Sequence, residues 1–540
     1  MLRPKRQSAQ TVTVTAPVGG WNAVTSLANM NPNEAVIMDN WFCLPTELQL
    51  RGGYTEYFTG VHGNIQSFIN YNAMNGNTQF FAAADNNGDC AIYPVVANTG
   101  ADYFLTAESG GHLLTEAGDA LTYNPVAIIY GLTSAKFHYA QFSNTAGDWT
   151  IAVNGSDAPL RYDGTEWIQI GNTGTGAITG IATTSLADVI MHKRRLWFVE
   201  KNSLSCWYLA TDAVAGAATE FDFGPIFAMG GQIAKLATWT LDAGWGMDDY
   251  LVIITTKGEV AVYKGVNPAD PADWSLQGVY YIGAPVGDLC TCKYGGDVLL
   301  LNKDGLIPLS QCLMSSRVST RISITNKIQS KISQDTTQYA NYYGWQVILN
   351  PPLNMLMLNV PTATAGQSYQ YVMNTITGAW SRFTNLNATT WDFVNESLYF
   401  GLGGSVYKFW DGHNDNGTPI VSDLLPAFSS FGSSVQTKRL TMNRLSMGAD
   451  NDFAYTTRIS LDFDQVSQPN YPGLGDVDTS TWNLATWDLS MWGGDIIPFV
   501  KWQNAIGMGH YATTRIKTSS SYSDVRFYSV DYIFEAGGVI

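Results

Sequence analysis

Short runs of alternating apolar and polar residues, each closed by a glycine- or asparagine-bearing turn, recur along most of this chain. Residues 250–256 (YLVIITT) are apolar and β-branched, Lys257-Gly258 marks a tight turn, and residues 259–263 run back. Glycine tolerates the positive φ that such hairpin turns require. A further strand is expected at 274–282, after a loop carrying Pro268 and Pro271. The same grammar restarts at 297–301, turns at Asp304-Gly305 and returns through 306–309, which puts the two turn glycines 47 residues apart (305 − 258). Five more hairpins follow the pattern: 79–83 with 90–93 around Asn87-Gly88, 150–153 with 159–162 around Asn154-Gly155, 196–199 with 204–208 near Lys201-Asn202, 355–360 with 369–373 across the loop 361–366, and 398–401 with 406–410 around Gly403-Gly404. Turns from 88 to 305 step by 67, 47, 56 and 47 residues (88→155→202→258→305). Short strands recurring at ~45 residues are the mark of propeller blades. The scatter in the steps points to insertions. The pattern predicts an all-β chain with a β-propeller of six or seven blades over residues 61–420.

Two stretches break the pattern and read as insertions: 100–130, rich in Gly, Ala and Thr, and 311–345, which carries Arg317, Arg321, Lys327 and Lys331 and has room for a helix over 313–332. They are either surface loops or elements that project towards an axis. Tryptophans recur beside the hairpins (Trp149, Trp167, Trp197, Trp207, Trp274, Trp380, Trp391, Trp410) and are expected to fill the gaps between blades, with sugar stacking as the other use of such rings. Asp163-Gly164 before Trp167 and Thr377-Gly378 before Trp380 read as blade-end turns.

Outside 61–420 the grammar changes. Residues 1–15 are polar, with Arg3, Lys5 and Arg6, and read as a disordered arm or one that docks on a neighbour. Residues 33–39 suggest a helical turn and 48–51 a strand. After the serine- and glycine-rich linker at 429–434, strands are expected at 439–447, 457–464, 515–518 and 525–534. Trp482, Trp487 and Trp492 recur at a spacing of five, which fits neither strand nor helix and reads as a loop folded over a core or a subunit contact. Residues 1–60 as arm and part of a platform, 61–420 as propeller, and 421–540 as a β-sandwich-like platform completed by the N-terminal segment are the expected organisation.

Of the 540 residues 45% are apolar, ample for a core, whereas charged residues make up 14% against a typical ~25%. A surface so poor in charge suits a protein buried in an assembly, or simply a β-rich protein with long polar loops. The formal net charge of −16 argues against adhesion to nucleic acid through a basic surface. Six scattered cysteines, including Cys290 and Cys292, show no zinc spacing and read as free thiols of a reducing compartment. No apolar run reaches the ~20 residues of a membrane helix, and the opening residues lack the apolar core of a secretion signal.

The opening reads Gly19-Gly20-Trp21-Asn22, Leu27, Met30, Pro32, Ala35, Asp39-Asn40-Trp41-Phe42 and Leu50-Arg51-Gly52-Gly53-Tyr54. This pattern resembles the start of virion proteins of short-tailed bacteriophages and prophages. The stretches DDYLVIITTKGEVAVYKGVNPADPADWSLQGVYYIGAPVG and GGDVLLLNKDGLIPLS are similar to the middle of the same proteins. The resemblance is to the tail nozzle, or tail tubular protein B, family. It implies a propeller-based subunit of a homohexameric ring at the distal end of the tail. The partners it implies are a tail adaptor or head-to-tail connector ring, tail fibres or tailspikes, and viral DNA that passes without sequence-specific contact. The expected location is the virion, after assembly in the host cytoplasm.

Chemistry is sparse. The chain contains no G-x-S-x-G, P-loop or H-E-x-x-H motif, and its six histidines are scattered. Asp248-Asp249 and Asp270 with Asp273 read as turn and strand-edge residues, not as a glycosidase pair. Asp411, His413, Asp415 and Gly417 faintly resemble a calcium loop without its closing glutamate. His192-Lys193-Arg194-Arg195 leads into a strand and reads as a solvated run or a partner contact. No residue is assigned a catalytic, cofactor-binding or metal-ligating role, and no cofactor is expected. The other function classes are a propeller that binds host glycans and an enzyme that degrades surface polysaccharide.

Overall fold

The computed structural model describes residues 9–97, 127–242, 247–313, 323–466, 471–475 and 496–539. Seven antiparallel sheets follow one another along the chain from Asn64. Blade 1 is built from Asn64–Asn72, Thr78–Asn86, Asp89–Pro94 and Ile129–Leu132. Blade 2 spans His138–Asn144 to Trp167–Gln169, blade 3 Leu186–His192 to Thr219–Asp222, and blade 4 Ile233–Asp242 to Ser275–Tyr281. Among the described residues blade 5 has three strands, Thr291–Tyr294, Asp297–Asn302 and Gly305–Pro308. Blade 6 runs from Gln346–Asn350 to Trp380–Phe383, and blade 7 holds Thr390–Val394, Ser397–Leu402 and Ser405–Phe409. The first strand of each blade packs on the next blade, and blade 7 returns to Asn64–Asn72 of blade 1, so the order closes on itself. This is a seven-bladed β-propeller. Each of the seven hairpins read from the sequence is the second and third strand of one blade.

The ring is latched by its own N-terminal segment. Tyr54–Phe58 adds to Ser405–Phe409 as the fourth strand of blade 7, with Tyr54 opposite Phe409 and Phe58 opposite Val406. Residues 54–58, expected in the arm and platform segment 1–60, thus belong to the propeller. Apolar faces between blades hold it together. Trp197, Tyr208 and Phe223 of blade 3 pack on Leu251, Tyr263 and Trp274 at blade 4, and Phe68 and Phe80 of blade 1 pack on Phe58, Val394 and Tyr399 of blade 7 across the 7–1 seam. Trp197 and Trp274 stack at 5.5 Å, the gap-filling expected of blade tryptophans.

The two chain ends build the platform. Gln436–Ala449 lies between Ile497–Gly509 and Val525–Val539, and the far side of the last strand takes both Gln10–Thr15 and Leu48–Leu50. A second layer runs from Glu34–Asp39 through Thr418–Pro426 and Ala512–Ser520 to Phe453–Leu461 and Tyr471–Gly475. Leu445, Met447, Ile516, Phe527 and Tyr532 of these layers share one core with Val252, Leu299 and Trp380 of the propeller.

Several expectations change. Residues 10–15, read as part of an arm either disordered or docked on a neighbour, are a strand held within the chain by Ser529 to Phe534. Residues 33–39, read as a helical turn, contain the strand Glu34–Asp39, because neighbours on both sides satisfy its backbone. The helix expected over 313–332 falls later, at Gln329–Tyr339. Most of the insertion at 100–130, residues 314–322, and the segment holding Trp482, Trp487 and Trp492 lie outside the described residues.

Candidate functional site at the propeller axis

The first strand of every blade lines the axis, and an all-round apolar lining would leave no reason for polar residues there. Blades 2, 3, 4 and 7 nevertheless place His138 and Tyr139, Asp188, Lys235 and Asp392 at these positions. Lys235 Nζ donates to Asp188 Oδ1 at 2.7 Å and to His138 Nδ1 at 3.0 Å, which ties three blades together. Asp188 Oδ2 accepts the Leu236 amide at 3.3 Å. Burial raises the Asp188 carboxyl, but Lys235 and the Leu236 amide outweigh it and the net shift is downward. Burial, and then Lys235, pushes His138 down to about 4, so the ring is neutral at pH 7. As Nδ1 accepts from Lys235, Nε2 carries the proton.

Tyr139 reaches past blade 1 and donates to Asp392 Oδ2 of blade 7 at 2.9 Å. Burial pushes Asp392 up to about 6, against the hydrogen bonds from Tyr139 and the Phe393 amide. Tyr343, on the loop before blade 6, donates to the Gln66 carbonyl of blade 1. These cross-links plug the propeller's own channel with side chains.

On the face where the chain enters each blade, three adjoining cavities surround the plug. The largest, about 510 Å³, lies over blades 2 to 5 and is lined by Lys136, His138, Asp188, Lys201 and Asp288. A smaller one of about 130 Å³ shares Lys136 and Asp288 and reaches Tyr343 and Thr390. A third, about 350 Å³, continues past Tyr343 to Gln66 and Gly403. The lining mixes amides, hydroxyls and charges with apolar side chains such as Val199, Ile233, Leu289 and Pro361. Ser156 Oγ stands 3.5 Å from Lys201 Nζ, at the outer limit of a hydrogen bond, and among the described residues no cluster of His, Cys, Asp and Glu fits a metal.

The opening residues that carry part of the resemblance sit elsewhere, at the weld between platform and propeller. Arg51 is buried. Its Nη1 and Nη2 grip Asp415 at 2.7 and 2.6 Å, and Nε donates to Asn40 Oδ1 at 3.0 Å. Asn40, at φ 62°, donates through Nδ2 to the Val421 carbonyl at 2.7 Å. Arg382 of blade 6 holds Asp39 with bonds of 2.8 and 2.7 Å and lies over the Trp21 ring. Gly53 is required by close approach: a Cβ there would stand 1.9 Å from the Asn414 carbonyl oxygen.

The remaining sequence candidates have structural partners. In the loop compared with a calcium site, Asp415 is taken by Arg51, and Asp411 accepts the Thr55 hydroxyl at 2.5 Å. Asp273 caps the amides of Val266 and Asn267, and Asp249 accepts from Thr240. The side chain of Asp248 lies outside the described residues. The basic run forms a hairpin turn with Lys193 at φ 48° and Arg194 at φ 60°, and Arg194 is held by Asp212 at 2.8 and 2.6 Å. The axial network escaped the sequence reading because its members lie far apart in the chain. Polar residues at the heads of strands that precede each hairpin are the signal that would have pointed to them.

No family model and no curated protein matches the chain. Among solved structures, the chain is similar to YCF48 bound to D1 peptide (9% identity, 72% of this chain and 99% of that one, TM-score 0.35). It is also similar to the Myceliophteria thermophila Cps50 (Swd1) β-propeller domain (10%, 66% and 99%, TM-score 0.34). A third is the C-terminal WD40 domain of Sif2 (12%, 66% and 99%, TM-score 0.32). The propeller assignment rests on this chain's own seven sheets and their closed order.

Proposed function

We propose that the chain is a non-enzymatic virion protein, a tail nozzle subunit of a short-tailed phage that assembles as a homohexameric ring. The observation that carries the reading is the location of the motif residues. Gly20, Trp21, Asp39, Asn40, Arg51 and Gly53 all bind platform to propeller at the Arg51–Asp415 and Arg382–Asp39 pairs. Residues used in that way serve a rigid building block. The side chains that cross the axis support the same reading, in which the DNA path runs between copies. Six copies bring 6 × −16 = −96 formal charges, and a lumen without basic contacts lets a duplex slide because no phosphate is held through counterion release. The ring meets a tail adaptor on one side and fibres or tailspikes at its rim.

The test is the mass and image of the purified full chain, alone and with its adaptor. A six-fold ring is expected. A monodisperse monomer at micromolar concentration that forms no ring even beside the adaptor overturns the reading.

A further inference from the structure

The cavity over blades 2 to 5 has a chemistry that the building-block reading does not use. Its volume, about 510 Å³, falls within the ~300–1,000 Å³ of ligand pockets. Two exposed ammonium groups stand on its walls: Lys136, ahead of the first strand of blade 2, and Lys201, in the central turn of blade 3. Lys136 is braced over the Tyr343 ring at 4.3 Å, and Lys201 is braced by the Gly155 carbonyl at 2.7 Å. The floor is the His138–Lys235–Asp188 network, in which Asp188 already neutralises Lys235 and His138 offers an N–H. Against the two wall cations stands one further carboxylate, Asp288. This is therefore a locally positive concavity on a chain of net charge −16, and a concave low-dielectric wall focuses such a field. The rest of the lining includes Ser156, Asn202, Gln232 and Thr256, hydroxyls and amides suited to a polyol. Apart from His138 the lining holds no ring for a base to stack on, which disfavours a nucleotide.

We infer that this cavity binds a sugar carrying one carboxylate or phosphate, its anion between Lys136 and Lys201 and its hydroxyls on the amides, Thr256 and Asp288. The site is complete within one copy and does not rest on the ring assembly.

Calorimetric titration of the full chain with glucuronate, glucose 6-phosphate, glucose and inorganic phosphate tests it. One or both anionic sugars are expected to saturate with a dissociation constant of about 1 mM or tighter, with glucose weaker by at least about tenfold. Lys136→Gln/Lys201→Gln weakens the anionic sugar by about tenfold or more without lowering the melting temperature, and Lys293→Gln, outside the cavity, changes nothing. A response to glucuronate alone or to glucose 6-phosphate alone supports the site and assigns the anion. No saturable binding of either, equal binding of glucose, equal binding by the double variant, or inorganic phosphate binding as tightly as the sugar phosphate overturns it.

Discussion

Single residues set the strongest constraints where charge is buried. Arg51 and Asp415 are almost without exposure, at 0% and 7% of their side chains. Removing one partner of such a pair leaves the other charge unpaired at a cost of about 3–5 kcal/mol. Arg51→Ala is therefore expected to lower unfolding stability by that amount in denaturant titration. Arg51→Ala/Asp415→Ala should recover part of the loss; a double variant as damaged as the sum of both singles contradicts the pairing. Protonation gives a second prediction. His138 and His192 are both pushed down to about 4 by burial, and His192 has neither ring nitrogen bonded among the described residues. Unfolded histidine titrates near 6.5, so each contributes stability that is complete above about 6.5 and declines by about 3 kcal/mol as pH falls to about 4. Asp392, raised to about 6, acts with the opposite sign: its stability is present at low pH and declines as pH rises through about 6. Two histidines outweigh one carboxylate, so the melting temperature should fall between pH 6.5 and 4. His192→Leu should flatten the fall, whereas Asp392→Asn should steepen it, and profiles identical to the parent refute the assignment. Little of this was legible in the sequence. Arg51 stood out only within a motif, because its partner lies 364 residues away.

At the scale of elements, legibility followed turn chemistry. The second and third strands of each blade were readable because they alternate cleanly and meet at turns such as Asn87-Gly88, with φ of 54° and 94°. First strands were harder: His138–Asn144 and Leu186–His192 face the axis with polar residues and carry no tight turn before them. The platform strand Gln436–Ala449 was read short, as 439–447, and one of its register shifts, at Gln436/Lys438, falls at the end that was missed. The latch Tyr54–Phe58 gave no signal at all, since its partner Ser405–Phe409 lies at the other end of the propeller sequence. Its role is testable. Phe58 is buried in the 7–1 seam with Val61, Phe68 and Val406, so Phe58→Ala should cost about 3–5 kcal/mol. Hydrogen exchange should quicken first in Ser405–Phe409 and Asn64–Asn72, while Leu251 to Ile254 of blade 4 keeps its protection. Unchanged exchange across the seam would remove the latch from the account.

The whole molecule explains why a chain of such low charge density has so polar an axis. Seven blades are closed by a strand from one terminus, with a platform drawn from both, and among the described residues Tyr139–Asp392 and Lys235–Asp188–His138 cross the axis of the copy. If DNA moves with this protein, it moves along surfaces that several copies share, and their charge decides whether it sticks. Binding to duplex is dominated by phosphate neutralisation, and observed affinity falls with salt in proportion to the number of contacts. A chain at −16 holds Arg194, Arg382, Arg444, Arg515 and Arg526 with its own carboxylates, which withdraws these five cations from phosphates. The assembled protein is therefore expected to retard no duplex of random sequence in a mobility assay at micromolar concentration and about 50 mM salt. Any weak retardation should lack a steep salt slope. Tight, salt-sensitive binding would mean that assembly lines its lumen with basic groups, and the sliding conduit would have to be given up in favour of a DNA-gripping one.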